Sequence, residues 1–229
     1  IYSDFFTPIM VLKKCKAVTD HCFILESHEQ SSTWGRYSFI GYDPKHEVTC
    51  NNGRLTVDGI DKGRKNPTKF LREVMQRHKT MKLSGFPTFT GGFVGFFAYD
   101  YLKYSEPTVT FGNSSNAHFK DVDLMYFDEC ICFDHERQKI MIIVNVDADH
   151  IESDYPKKCQ RIEEIERMIK MDYMDMSDPL RLKGPFTPMF SKEEYCAKVE
   201  EVKHHIVEGD IFQAVLANRI EAKCSGSLL

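Results

Sequence analysis

Leu124-Met-Tyr-Phe-Asp-Glu-Cys-Ile-Cys-Phe133, followed across Asp134-His-Glu-Arg-Gln138 by Lys139-Ile-Met-Ile-Ile-Val-Asn-Val146, is the stretch on which the fold class turns. Both runs are rich in β-branched and aromatic residues, and the residues between them are polar, so they predict a long antiparallel hairpin. Upstream, Asn51-Asn-Gly53 separates Val48-Thr-Cys50 from Arg54-Leu-Thr-Val57 and predicts a second hairpin, because asparagine and glycine tolerate positive φ. Cys22-Phe-Ile-Leu-Glu26 and Gly35-Arg-Tyr-Ser-Phe-Ile-Gly41 read as two more strands, parted by a polar loop over 27–33 and closed by Asp43-Pro44. Gly91-Gly-Phe-Val-Gly-Phe-Phe-Ala-Tyr-Asp100 reads as a glycine-rich aromatic strand, and 105–121 as a polar loop.

Three helices interrupt these strands. Asn66-Pro67 supplies a cap and a first-turn proline, with Phe70, Leu71, Val74 and Met75 as the buried stripe. Residues 155–171 place Cys159, Ile162, Ile165 and Ile169 on one side. Ser191 and Glu194 form a capping box, Tyr195, Val199, Val202 and Ile206 form a stripe, and Gly209 ends that helix. A strand is expected over 211–222. The fold class is therefore α+β, with antiparallel sheets and helices outside them. The expected division is 1–150, a helix and linker over 151–188 rich in Met, Asp, Gly and Pro after 172, and the start of another domain at 189–229. That last part is too small to cover its own faces, so an exposed apolar surface near 195–220, a tendency to associate and an incomplete carboxyl-terminal domain are expected.

Composition narrows the chemistry. The 229 residues are 42% apolar and 12% aromatic, enough for a sizeable core. A net charge of −4 with mixed signs offers no nucleic-acid surface, and the most basic run, Asp61-Lys-Gly-Arg-Lys65, reads as a solvated turn. The eight cysteines form no C-x-x-C pair, and Cys130 and Cys132 share one strand face, so free core thiols in a reducing compartment are expected. No leader or long apolar run appears, which predicts a soluble, cytoplasmic or organellar chain without a membrane segment, trimmed at its start. The glycines at 91–95 lack the lysine and helix start of a phosphate cradle. His204 and His205 do not share a helix face, so no metal site is expected there. Asp210 and Gln213 read as cap and polar strand face.

Three segments in register carry a family resemblance. Phe23-Ile-Leu-Glu-Ser27 with Trp34-Gly-Arg-Tyr-Ser-Phe-Ile-Gly41 resembles the amino-terminal signature of anthranilate synthase component I. The 91–100 strand resembles that family's central glycine-aromatic strand. Glu208-Gly-Asp-Ile-Phe-Gln213 with Asn218-Arg219 resembles the entry into its chorismate-binding domain. The resemblance implies two sheets packed in a four-layer sandwich. It also implies formation of anthranilate and pyruvate from chorismate, with ammonia supplied by a glutamine amidotransferase subunit. Mg²⁺ is the implied cofactor, with ligands outside this chain, and no catalytic residue is assigned within it. Tryptophan is the implied feedback inhibitor, bound at Leu25, Glu26 and Ser27, with Arg36 either nearby or paired with Glu26 or Asp43. Alternatives are the related 4-aminobenzoate enzyme, aminodeoxychorismate synthase component I, and a ligand-binding module without catalysis.

Overall fold

The computed structural model describes residues 1–27, 35–81, 83–106, 108, 119–174 and 177–227, and the chain divides into two compact units, 1–173 and 174–229. The first unit opens on α1 (Pro8–Val18), where Thr7 Oγ1 accepts the Met10 N–H at 3.2 Å and Pro8 lies in the first turn. This helix has no counterpart in the sequence reading, although its Thr-Pro start is a legible signal. β1 (Cys22–Leu25) and β2 (Tyr37–Tyr42) follow. β3 (His46–Asn51) and β4 (Arg54–Val57) are joined by Asn52 and Gly53 at φ of +48° and +79°, as the predicted tight hairpin requires.

β5 (Ile60–Arg64) corrects the solvated turn expected over 61–65. All its residues are exposed, and its charges and the positive φ of Gly63 are devices that keep an edge strand from recruiting another chain. Such a strand carries no apolar alternation for a sequence reading to detect. α2 (Pro67–Arg77) starts on the Asn66 carboxamide, which accepts from the Thr68 and Lys69 N–H groups. Leu71 is buried, whereas Met75 is 45% exposed and falls outside the expected stripe. β6 (Gly92–Phe97) leads into a 3₁₀ turn over Tyr99–Tyr104. β7 (Val122–Phe127), β8 (Glu129–Asp134), β9 (Lys139–Val144) and α3 (Ile151–Lys170) complete the unit.

The expected single strand over 124–133 is two strands in two sheets. β7 lies in the five-stranded sheet β5-β4-β3-β7-β6, and β8 in the four-stranded sheet β1-β2-β8-β9, all pairs antiparallel. The chain changes sheet at Asp128. There the main-chain carbonyl, left without a ladder partner, accepts from Asn145 N and Nδ2 at 2.9 Å each, and the carboxylate meets Lys158 at 3.1 Å and Lys45 at 3.3 Å. Burial alone would raise the Asp128 carboxyl, but the two lysines hold it below its usual range. Apolar residues continue on both sides of this bend, so the pattern hides it.

Three clusters fill the layers. Phe23, Phe39, Phe127, Cys130, Cys132 and Ile143 lie between the two sheets, joined by Val94 and Met125. Ile40, Ile131, Phe133 and Ile140 bind the outer face of the four-stranded sheet to Val11, Leu12 and Cys15 of α1 and to Ile165 and Ile169 of α3. Val48, Cys50, Leu55, Val122 and Leu124 meet Leu71 of α2 on the outer face of the other sheet. Helix, sheet, sheet, helix is the four-layer α+β sandwich. Within its middle layer Phe23 meets Phe127 edge-on at 4.8 Å and Phe89 at 6.2 Å. A Cβ on Gly41 would stand 2.2 Å from the Phe23 ring, so glycine at 41 is a packing requirement.

The segment expected as a connector over 151–188 is shared between the units, since α3 packs into the first and residues from 174 onward belong to the second. In the second unit β10 (Arg181–Leu182), β11 (Thr187–Pro188), α4 (Lys192–Glu208), β12 (Ile220–Glu221) and β13 (Cys224–Ser225) appear in that order. α4 has the predicted capping box, with Ser191 Oγ accepting at 3.2 Å and Glu194 reaching back at 2.8 Å, and Gly209 ends it at φ +83°. The strand expected over 211–222 shrinks to Ile220–Glu221. Its only ladder among the described residues is Thr187–Pro188, and proline has no N–H to extend it.

Candidate functional site

β1 and β2 pair with Leu25 opposite Phe39, and side chains alternate along a strand. Leu25 therefore shares the inter-sheet side with Phe39, while Glu26 comes opposite Ser38 on the other side. Ser38 is only 1% exposed. Its hydroxyl donates to Glu26 Oε1 at 3.3 Å and lies 2.7 Å from His135 Nε2. A hydroxyl has one proton to give, so Glu26 and a neutral, unprotonated Nε2 compete for it. The His135 ring stacks on Phe133 at 6.4 Å and 23°. Glu26 itself is exposed, as is Ser27, and among the described residues no lysine or arginine pairs with the Glu26 carboxylate. The expected loop beyond Ser27, with Trp34, falls outside the described residues.

Arg36 is engaged elsewhere. Its Nε donates to Asp134 Oδ1 at 3.2 Å, its Nη2 to Asp134 Oδ2 at 2.7 Å, and its Nη1 meets Glu136 Oε2 at 2.6 Å. The pairing expected with Glu26 or Asp43 is thus corrected. Asp43 instead faces Arg161 at 3.7 Å. The reason is register: Tyr37 sits opposite Asp134, which carries the guanidinium onto the β8 end. Asp134 is 2% exposed; burial would raise its carboxyl, but Arg36 and the Arg137 N–H hold it below its usual range. The fork is a brace for the rim on which Glu26 stands. An exposed carboxylate beside a fixed hydroxyl can accept an ammonium group by a charge-assisted hydrogen bond.

A family profile described as chorismate binding enzyme matches residues 20–229. The chain belongs to the chorismate-binding enzyme family. It is 32% identical to anthranilate synthase component 1 of Acetivibrio thermocellus, an alignment covering 96% of this chain and 47% of that relative. It is 30% identical to anthranilate synthase component 1 of Pseudomonas aeruginosa, over 95% of this chain and 46% of the relative. The crystal structure of anthranilate synthase component I from Streptococcus pneumoniae superimposes with a TM-score of 0.61 at 25% identity, covering 100% of this chain and 49% of that one. The chain thus spans about half the length of the relatives it matches.

Within this fold, the sequence reading missed Ser38, Asp134 and His135. Ser38 was legible: it interrupts the face that Ile40 and Tyr42 bury, and a polar residue on a buried face calls for a partner. His135 was not, because a histidine in a hairpin turn carries no pattern. All eight cysteines are free thiols, and burial pushes Cys130 up to about 12, consistent with core packing. His204 pairs with Glu208, four residues on, at 3.1 Å. His205, Glu208 and Asp210 bring potential ligand atoms within 4.8 Å of one another, all exposed, with His205 Nδ1 2.8 Å from Asp210 Oδ2. Asp210 closes the end of α4 there, as a cap. Among the described residues no helix is long and apolar enough to cross a membrane.

Proposed function

We propose that this chain is the amino-terminal part of an enzyme that forms anthranilate and pyruvate from chorismate, using ammonia delivered by a glutamine amidotransferase subunit. The observation that carries this reading is the match to anthranilate synthase component 1 over 96% of the chain. In the proposed reaction the amine adds to the chorismate ring, the ring hydroxyl leaves, and elimination of pyruvate restores aromaticity. The chain's own contribution is regulatory. Glu26 takes the ammonium of tryptophan, Ser27 and the neighbouring main chain orient it, Leu25 supplies apolar contact, and Arg36 holds the rim in place through Asp134. The setting is a reducing, cytoplasmic compartment, in keeping with eight unpaired thiols.

Mg²⁺ belongs to this proposal but not to these residues. The single cluster of candidate ligands found among the described residues, His205 with Glu208 and Asp210, is exposed and already paired internally. A hard cation of this kind favours an octahedral oxygen set, which these three do not provide. The test is turnover by the whole enzyme with chorismate, ammonia and Mg²⁺, followed by fluorescence of anthranilate. Formation of anthranilate that tryptophan suppresses supports the reading; formation of 4-aminobenzoate, or no product, overturns it.

A further inference from the structure

We propose a second small-molecule site, separate from the β1–β2 rim, in the cleft between the carboxyl end of α2 and the β6–β7 edge, and that it takes a small hydroxylated organic carboxylate. The cleft measures about 240 Å³ and is walled by Met75, His78, Lys79, Tyr126, Phe127 and Asn145, with the Gly91–Gly92 backbone at its floor. Tyr126 is the decisive residue. It is 6% exposed, yet its hydroxyl has no hydrogen-bond partner among the described residues. Buried tyrosine hydroxyls normally find one, because leaving the group unpaired away from water is costly. The oxygen is not sealed in the core either, since no fully buried polar side-chain atom lacks a partner among the described residues. The cleft is the opening that this side chain lines.

The other polar groups are arranged to complete a binding set. Asn145 spends both Nδ2 hydrogens, on Thr90 O at 2.7 Å and Asp128 O at 2.9 Å. Its Oδ1 is thereby fixed as an acceptor without a described partner. Burial, with Asp128 nearby, raises the Tyr126 phenol, so it stays a donor across ordinary pH. A ligand hydroxyl can therefore accept from Tyr126 and donate to Asn145. Lys79 is exposed with no ion pair among the described residues, and the His78 ring lies 4.9 Å from Tyr126. These two place hydrogen-bond donors at the rim where a carboxylate would sit, while Met75 offers apolar contact. The His46 ring, 6.3 Å from Tyr126, and Phe93, edge-on at 5.2 Å, hold the phenol in place, and His46 is itself occupied by Asp58 at 2.8 Å.

The test uses the 229-residue chain labelled with ¹⁵N, titrated with 4-hydroxybenzoate and, separately, with benzoate. Saturable shifts at the Gly91, Gly92 and Asn145 amides are expected, with 4-hydroxybenzoate binding about five- to tenfold more tightly than benzoate, the range a single net hydrogen bond supplies. Tyr126→Phe keeps the ring packing and removes only the hydroxyl, so it should erase that preference and leave benzoate binding intact. Lys79→Ala should weaken both probes alike. Equal affinity of the two probes for the unaltered chain would overturn the proposal and assign the hydroxyl to water. So would shifts confined to Lys79, or none. None of these outcomes bears on tryptophan recognition at Glu26, which the same samples report through a tryptophan titration.

Discussion

The two units are built on different terms. In 1–173 every layer is closed by a cluster of buried side chains, and all the buried apolar residues described for the chain lie in this unit. In 174–229 none is buried; α4 has no buried residue, and Val207, Phe212 and Val215 are at least 85% exposed. The first unit is held by tertiary packing. The second is held by local devices: a capping box, a glycine stop, the Asn218 carboxamide exchanging two 3.0 Å hydrogen bonds with the Phe190 backbone, and the Tyr195 hydroxyl on Leu216 O at 3.1 Å. Equal secondary structure therefore does not mean equal stability, and mutations should separate the two.

The largest effect is expected between the sheets. Phe127→Ala should cost about 3–5 kcal/mol, by loss of buried area and the edge-on Phe23 contact, measured by urea unfolding. Asp134→Asn should cost about 2–3 kcal/mol, below the full value for a buried pair because Arg36 is partly exposed. This second variant also has a pH signature. The folded Asp134 carboxyl lies below its usual range, so its contribution is present above about pH 4 and lost as pH falls through the folded value. The stability curve of Asp134→Asn should accordingly fall less steeply than wild type below about pH 4.

Gly41→Ala should cost about 1–3 kcal/mol, because the new methyl displaces the Phe23 ring. In the second unit the effects shrink. Ser191→Ala should cost about 1 kcal/mol of local stability, seen as faster amide exchange in the first turn of α4 with no change in 1–173. Val207→Ala should change stability by less than about 0.5 kcal/mol. A Val207→Ala cost as large as that of Phe127→Ala would break the contrast.

The same contrast explains what was legible. Caps and stops are written in neighbouring residues, so the start of α2 and both ends of α4 were read to the residue. The hairpin at Asn52-Gly53 was read for the same reason. Features set by distant partners were not: the change of sheet at Asp128 is marked only by Asp128-Glu129 between two apolar runs that read as one strand, and β5 carries no apolar face. The strand expected over 211–222 had the right side chains but almost no ladder beside it. At the site, Glu26 and Ser27 came from resemblance and not from pattern. Arg36 was mispaired because its partner, Asp134, is 98 residues away in sequence.

Tryptophan inhibition of the whole enzyme, compared between wild type and Glu26→Ala, tests the functional account most directly. The account predicts that the tryptophan concentration for half-inhibition rises at least about tenfold, the loss expected when a charge-assisted hydrogen bond to the ammonium is removed. An unchanged inhibition curve in Glu26→Ala would contradict it.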